Sequence, residues 1–315
     1  MDKAISAKGR SRSERIRLMK KYKWLYLFTI PGVVILILFA YLPMMGLIMS
    51  FQQYDPVSGF FGSKFVGFYN FQRVFSSPTF GRALRNTLII SSMKLVICFP
   101  MPILFSLLIN ELRVARFKKT IQTIVYIPNF VSWVIAAGLW YSLLSSTGVV
   151  NSALQSLGIT NEPILFMQSF GWFYPIIIFT ELWKSLGYNT IFYMSAMSSI
   201  PTEHYEAAMM DGAGRFKQAM YITLPSMSKT IVLMFILQVG GLMSAGFDQM
   251  WTMSNLATRE LSDILDTAVL RTLTSGSIND LSFGAALGLF KSIISMGLFL
   301  ITNYLANKFD QGSLI

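Results

Sequence analysis

The stretch SSIPTEHYEAAMMDGAGRFKQAMYITLP, residues 198–225, interrupts a chain made mostly of long apolar runs. Its own pattern is short and amphipathic. Pro201 suits the first turn of a helix. Glu203 and Glu206 follow close to that N-terminus, where the helix dipole favours anions. Tyr205, Ala208 and Met209 recur at i, i+3 and i+4 and give a brief apolar face. Gly212 supplies the flexible C-cap. A second short helix is predicted from about Arg215 to Thr223, stopped at Leu224-Pro225. The spacing therefore predicts a small helix-turn-helix lying across a membrane surface. An interfacial helix without a partner is one reading. The small residues Ala207, Ala208, Gly212, Ala213 and Gly214 favour another, a close-packing surface for a second protein's groove.

Outward from this stretch the chain reads as membrane-embedded. Its 315 residues are 53% hydrophobic and only 13% charged. Soluble domains carry roughly 25% charged residues, and disorder needs low hydrophobicity. A spanning helix needs about 20 mostly apolar residues. Six runs qualify: 24–50, 84–109, 120–144, 170–197, 230–250 and 283–305. The first is too long for a signal-peptide core and reads as a retained helix. Pro100 and Pro102 must break or kink the second. The expected fold is an all-α integral membrane protein. It divides into a basic N-terminus (1–23), a six-helix domain (24–307, with the loop 198–229) and a short tail (308–315).

Net charge is +11, which first suggests a polyanion partner. The charge is lopsided: residues 1–23 carry a net +7 and everything else +4. Arg113, Arg116, Lys118 and Lys119 follow the second run, and Arg215, Lys217 and Lys229 sit in the 198–229 loop. Segment 147–169 has no Lys or Arg, and Arg259 and Arg271 are outnumbered by acids in 251–282. The positive-inside rule then places both termini in the cytoplasm. Membrane lipid explains the basic N-terminus better than nucleic acid does.

Catalytic furniture is missing. There is no phosphate-binding loop motif, no nucleophile elbow and no zinc-protease motif. One Cys (Cys98) and one His (His204) leave no disulfide framework and no Cys/His metal site. The chain is expected to move something rather than transform it.

At this point a family resemblance is visible. Glu206-Ala207-Ala208, then Gly212, then Ile222-x-Leu224-Pro225 resembles the EAA loop of permease subunits of binding-protein-dependent ABC importers. Asn86-Thr87 looks like the maltose-type sugar permeases. Gly67-Phe-Tyr-Asn70, Asn110-Glu111, Tyr126-Ile-Pro128, Trp183-Lys184-x-x-Gly187 and Gly246-Phe-Asp-Gln249 look like one branch of that family. That branch is similar to permeases for oligosaccharides cut from complex polysaccharides, such as pectic rhamnogalacturonan or alginate. The resemblance implies a bacterial cell-membrane importer with a second permease subunit, two ATPase subunits and an extracytoplasmic solute-binding protein. It implies that ATP and magnesium bind the ATPase, with no cofactor in this chain. Glu206, Ala207, Ala208, Gly212, Ala213, Leu224 and Pro225 are the matching coupling positions, between spans four and five. Glu206 would pair with a basic ATPase group. A stand-alone secondary transporter or channel is the alternative, and a non-transporting scaffold a third reading.

Polar groups at membrane depth are the remaining candidates. A Lys at the centre of a lone span costs roughly 2.5–3.5 kcal/mol. Lys94, Glu181, Lys184 and Lys291 lie within apolar runs. Glu181 and Lys184, at i and i+3, share a helix face, which puts them within pairing reach. They either line a hydrophilic path or serve as structural ion pairs and snorkelling side chains. Trp183, Asn189, Tyr193, Gln238, Asp248, Gln249 and Trp251 complete a set of sugar-compatible groups, although Trp and Tyr also anchor membrane interfaces. Asp248-Gln249 is expected at the outer end of the fifth span, facing a binding protein or gating a cavity.

Overall fold

A computed structural model describes residues 21–274 and 278–308. The basic N-terminus through residue 20 and the tail beyond Lys308 lie outside the described residues. The architecture is helical apart from one tiny hairpin, as a lipid environment requires: only helices satisfy every backbone group within a segment.

Helix α1 spans Lys23–Phe51. Strands β1 (Gln52–Gln53) and β2 (Lys64–Phe65) pair antiparallel, Gln52 opposite Phe65. Then come α2 (Tyr69–Phe75), α3 (Pro78–Asn110), α4 (Ala115–Phe130), α5 (Trp133–Leu143) and α6 (Val149–Ser156). Helix α7 (Phe170–Ser198) is followed by α8 (Thr202–Met210), α9 (Arg215–Ser226) and α10 (Ser228–Gly240). The last three are α11 (Phe247–Met253), α12 (Leu265–Thr274) and α13 (Ile278–Lys308).

Three of these, α1, α3 and α13, are long and apolar enough to cross a membrane. Two bent pairs qualify together: α4 with α5 at 103°, and α9 with α10 at 62°. Helix α7 has the length, about 43 Å at 1.5 Å per residue, but Glu181 and Lys184 dilute its apolar centre. Two of the six runs are thus interrupted. The third is folded at Val131-Ser132. The fifth ends at Gly240, and after a turn the chain resumes as α11.

Of the break or kink expected at Pro100 and Pro102, the break is absent. Helix α3 is not broken at Pro100. A π turn over Lys94–Cys98 directly precedes it, with Phe99 N–H reaching the Lys94 carbonyl at 3.2 Å. The wider turn relieves the crowding a proline ring imposes on the preceding turn. The second helix of the 198–229 loop does not stop at Leu224-Pro225 either. It passes through a π turn at Ala219–Thr223, runs to Ser226 and bends at Met227 into α10.

Three apolar clusters hold the bundle. One packs Ile90, Phe173, Ile177, Met250 and Met253. A second packs Val74, Phe80, Met243, Leu265 and Leu287. A third packs Ile103, Tyr193, Met197 and Met227. Asn86 and Thr87 tie α3 to the segment before α12: Asn86 Nδ2 donates to the Glu260 and Asp263 carbonyls at 2.8 and 3.0 Å, and Leu265 N–H donates to Thr87 Oγ1 at 3.0 Å. Helix α1 buries no residue before its last 3₁₀ turn, where Met45–Phe51 meets α13.

Candidate functional site

The π turn of α3 brings Lys94 into the bundle, 6% exposed. Its ammonium has three protons and three acceptors: Glu181 Oε2 on α7 at 2.8 Å, Gln249 Oε1 on α11 at 2.6 Å and the Ala245 carbonyl at 3.0 Å. That carbonyl is aimed inward by two left-handed residues, Ala245 (φ 48°) and Gly246 (φ 87°). Gln249 is fully buried and donates through Nε2 to the Ile177 carbonyl and Thr180 Oγ1, both at 2.8 Å. A buried charge is tolerable when paired and fully hydrogen-bonded, and here one cation clasps α3, α7 and α11.

Two sequence readings fall with this geometry. Glu181 pairs with Lys94, not with Lys184. Lys184 instead donates to the carbonyls of Pro128 and Asn129, at 3.4 and 2.9 Å, and to that of Val131. Gln249 is a core residue rather than an outer gate, whereas its neighbour Asp248 is exposed.

Lys94 and Glu181, with Gln238, border two adjoining cavities of about 70 and 190 Å³. Asn189, Tyr193, Ser185 and Cys98 line the smaller; Ser91 and Gly246 line the larger. Five of the eleven path candidates therefore converge: Lys94, Glu181, Asn189, Tyr193 and Gln238. Trp183 stacks edge-on against Trp140 at 5.5 Å, and Lys291 pairs with Asp266; neither lines the cavities. Trp251 stacks on Phe247, with the Arg271 guanidinium 5.4 Å from its ring. Ser91 and Ser185 were missed by sequence reasoning. Their signal was position: Ser91 lies three residues before Lys94, and Ser185 four after Glu181, each on the same helix face. The walls offer hydroxyls, amides and one carboxylate, the chemistry of polyol contact. The described residues hold no cluster of His, Cys, Asp or Glu suited to a metal.

The 198–228 segment forms the second site. Helix α8 buries none of its residues. It closes in a Schellman motif: Gly212 N–H bonds the Met209 carbonyl at 3.0 Å and Ala213 N–H the Ala208 carbonyl at 2.8 Å. Gly212 sits at φ 76°, the left-handed conformation that motif demands. Glu206 and Ala207 face outward and exposed; Ala208 and Ala213 are half-buried. Leu224 belongs to the third cluster, whereas Pro225 is exposed in the last turn of α9. Tyr205 Oη meets Thr223 Oγ1 at 2.9 Å, and Arg215 meets Glu111, which follows α3, at 3.2 Å. Helix α8 is thus fixed to the bundle along one side and open on the other.

A helical bundle with several membrane-length apolar helices, a polar cleft and a helix that buries none of its own residues has the form of an integral membrane protein. A family model described as "Binding-protein-dependent transport system inner membrane component" matches residues 80–313, and the chain belongs to that family. Protein LplB of Bacillus subtilis (strain 168) is 42% identical over 298 residues, covering 94% of this chain and 92% of that protein. The polygalacturonan/rhamnogalacturonan transport system permease protein YteP of the same organism is 39% identical, covering 99% and 96%. Among solved structures, a chain of a bacterial alginate ABC transporter in complex with alginate pentasaccharide-bound periplasmic protein superposes with a TM-score of 0.86. It is 34% identical and covers 95% of this chain and 99% of that one. The chain is thus a transporter permease subunit. Family membership argues against a stand-alone channel or secondary transporter.

Proposed function

We propose that this chain forms half of the translocation path of an ABC importer for an oligosaccharide. The observation that carries the reading is full-length likeness to permeases of polysaccharide-derived sugars, one a polygalacturonan/rhamnogalacturonan permease and one from an alginate transporter. A second permease, most simply a different chain, completes the path. One of two ATPase subunits docks on α8 through Glu206, Ala207, Ala208, Gly212 and Ala213, the other docks on the second permease, and a solute-binding protein delivers the sugar from outside. ATP and magnesium belong to the ATPase. The assembly sits in the bacterial cell membrane with six spans, α7 among them and the bent pairs counted as one each. Both termini are cytoplasmic, as the distribution of Lys and Arg supports. Domain limits follow the spans: 1–23, 24–307 and 308–315. The cleft around Lys94, Glu181, Ser185, Asn189 and Gln238 supplies this chain's polar wall for the sugar. Closure of the ATPase dimer moves α8 and rocks the helices between inward- and outward-facing states.

The test is co-purification followed by reconstitution. The tagged chain should bring down a second permease and an ATPase. In proteoliposomes, hydrolysis should rise when the binding protein is loaded with oligogalacturonides or alginate oligosaccharides. Stimulation by a peptide-loaded protein and by no sugar would sink the assignment.

A further inference from the structure

Two stretches more than fifty residues apart in the chain, Tyr126-Ile127-Pro128 and Trp183-Lys184-x-x-Gly187, meet in one joint. Helix α4 ends at Phe130, and the chain turns 103° into α5. A helix end leaves carbonyls without partners, and at membrane depth no water is present to satisfy them. The Lys184 ammonium fills that need. It donates to the carbonyls of Pro128, Asn129 and Val131, placing a cation at the negative end of the α4 dipole. Its Nζ also lies 5.6 Å from the Trp133 ring, at the first turn of α5. On the other side of the break, Ser132 Oγ accepts from Ile135 N–H at 3.3 Å and caps α5. One turn along α7, Gly187 lies so close to α4 that a Cβ there would collide with the Val125 carbonyl and the Tyr126 ring. The backbones of α4 and α7 therefore touch at Gly187 and are bolted at Lys184.

Both bolted helices connect to the coupling segment, one along the chain and one through an ion pair. Helix α7 passes through Ser199–Pro201 directly into α8. Helix α4 follows the loop whose Glu111 pairs with Arg215 of α9. Beyond the break, Tyr141 on α5 donates to the Met253 carbonyl at 3.0 Å, at the end of the helix whose Gln249 holds Lys94.

We infer that Lys184 is a positioning residue for transport: it makes α4, α7 and the coupling helix one rigid lever, with Val131-Ser132 the hinge at which α5 turns away. The inference rests on the coupling reading above but concerns a step downstream of ATPase docking. A merely structural cap would stabilise the fold and leave the transport stoichiometry alone. A lever must in addition keep α4 and α8 at a fixed separation through the ATPase cycle.

The experiment uses the whole complex, co-expressed with its partner subunits in a Cys98→Ala background. Spin labels are placed at Lys119→Cys on α4 and His204→Cys on α8, both exposed. Their distance is measured without nucleotide and after trapping with ATP and vanadate. With Lys184 present the distance should hold within about 2 Å; in Lys184→Met it should shift or broaden by more than that. The unlabelled Lys184→Met complex should hydrolyse ATP within about twofold of wild type. Its oligogalacturonide moved per ATP should fall about tenfold, with partial recovery in Lys184→Arg. A distance that already changes between the two states in the Lys184 complex would overturn the lever. So would an unchanged sugar-to-ATP ratio in Lys184→Met, or uptake that falls only in proportion to complex yield. The distance measurement needs no sugar. Failure of every sugar to stimulate the wild type would thus count against the oligosaccharide assignment and leave the lever judged on its own data.

Discussion

Ser91 lies just before the Lys94 turn on α3, and its hydroxyl is buried with no hydrogen-bond partner. No protein group in the bundle holds that hydroxyl, so helix packing alone gives little reason to keep it. It lines the larger cavity beside Glu181 and Gln238. If that cavity passes a sugar, Ser91→Ala should shift two measurements in opposite directions. The thermal unfolding midpoint of the complex should hold or rise, and uptake should fall by up to about tenfold, the worth of one well-made hydrogen bond. Uptake unchanged in Ser91→Ala would remove this residue from the path. Lys94 and Glu181 give a second residue-scale prediction. Removing one member of a buried pair costs roughly 3–5 kcal/mol, and the lower end applies because the Glu181 side chain is 23% exposed. Lys94→Met should therefore destabilise clearly, since it strands Glu181 and the Gln249 amide oxygen together. Pairing it with Glu181→Gln should be less damaging than the sum of the single changes, as for residues in direct contact. Strict additivity in the unfolding midpoints would mean the pair carries no coupling. The charges themselves were legible in sequence; their partners were not. A spacing of i, i+3 pointed Glu181 at Lys184, yet each found a partner more than fifty residues away in the chain. Local spacing tells which groups share a face, not which face another helix presents.

At the scale of elements, α8 was the most legible part of the chain. Its first-turn Glu203 and its terminal glycine read locally, because a helix end is built from neighbouring residues. The observed Schellman motif adds a consequence. A side chain at φ 76° is strained by about 1–2 kcal/mol, so Gly212→Ala should tilt or fray the end of α8 without disturbing a bundle to which α8 contributes no buried residue. The amount of chain in the membrane should stay constant, while ATPase stimulation by loaded binding protein falls several-fold. Glu206→Lys should act at an earlier step and reduce the ATPase recovered on co-purification. If both variants retain full association and full sugar uptake, α8 is not the coupling element. The π turns at Lys94–Cys98 and Ala219–Thr223 were not legible. Pro100 and Pro225 announced a disturbance, but a proline breaks, kinks or widens a helix according to what its neighbours can absorb.

For the whole molecule, hydropathy located every long helix and could not tell a straight run from a folded one, because apolarity has no direction. The 103° and 62° bends are held by tertiary partners, Lys184 at one and the packing around Met227 at the other. Orientation, in contrast, was argued wholly from charge, and it can be tested on the intact molecule. In a Cys98→Ala background, single cysteines replace Val57 and Phe61, which are 93% and 97% exposed in the hairpin that follows α1. Others replace Lys217 on α9 and Met210 on α8, the latter 89% exposed. With both termini inside, one span carries the chain out to Val57 and Phe61, and a membrane-impermeant maleimide should label these two in intact cells. Lys217→Cys and Met210→Cys should react only after the membrane is opened. They should then be shielded when the ATPase is co-expressed, as the proposed docking on α8 requires. Labelling of position 217 from outside would invert the topology. It would place the coupling helix on the face where no ATPase can reach it, and the charge argument and the coupling argument would fail together.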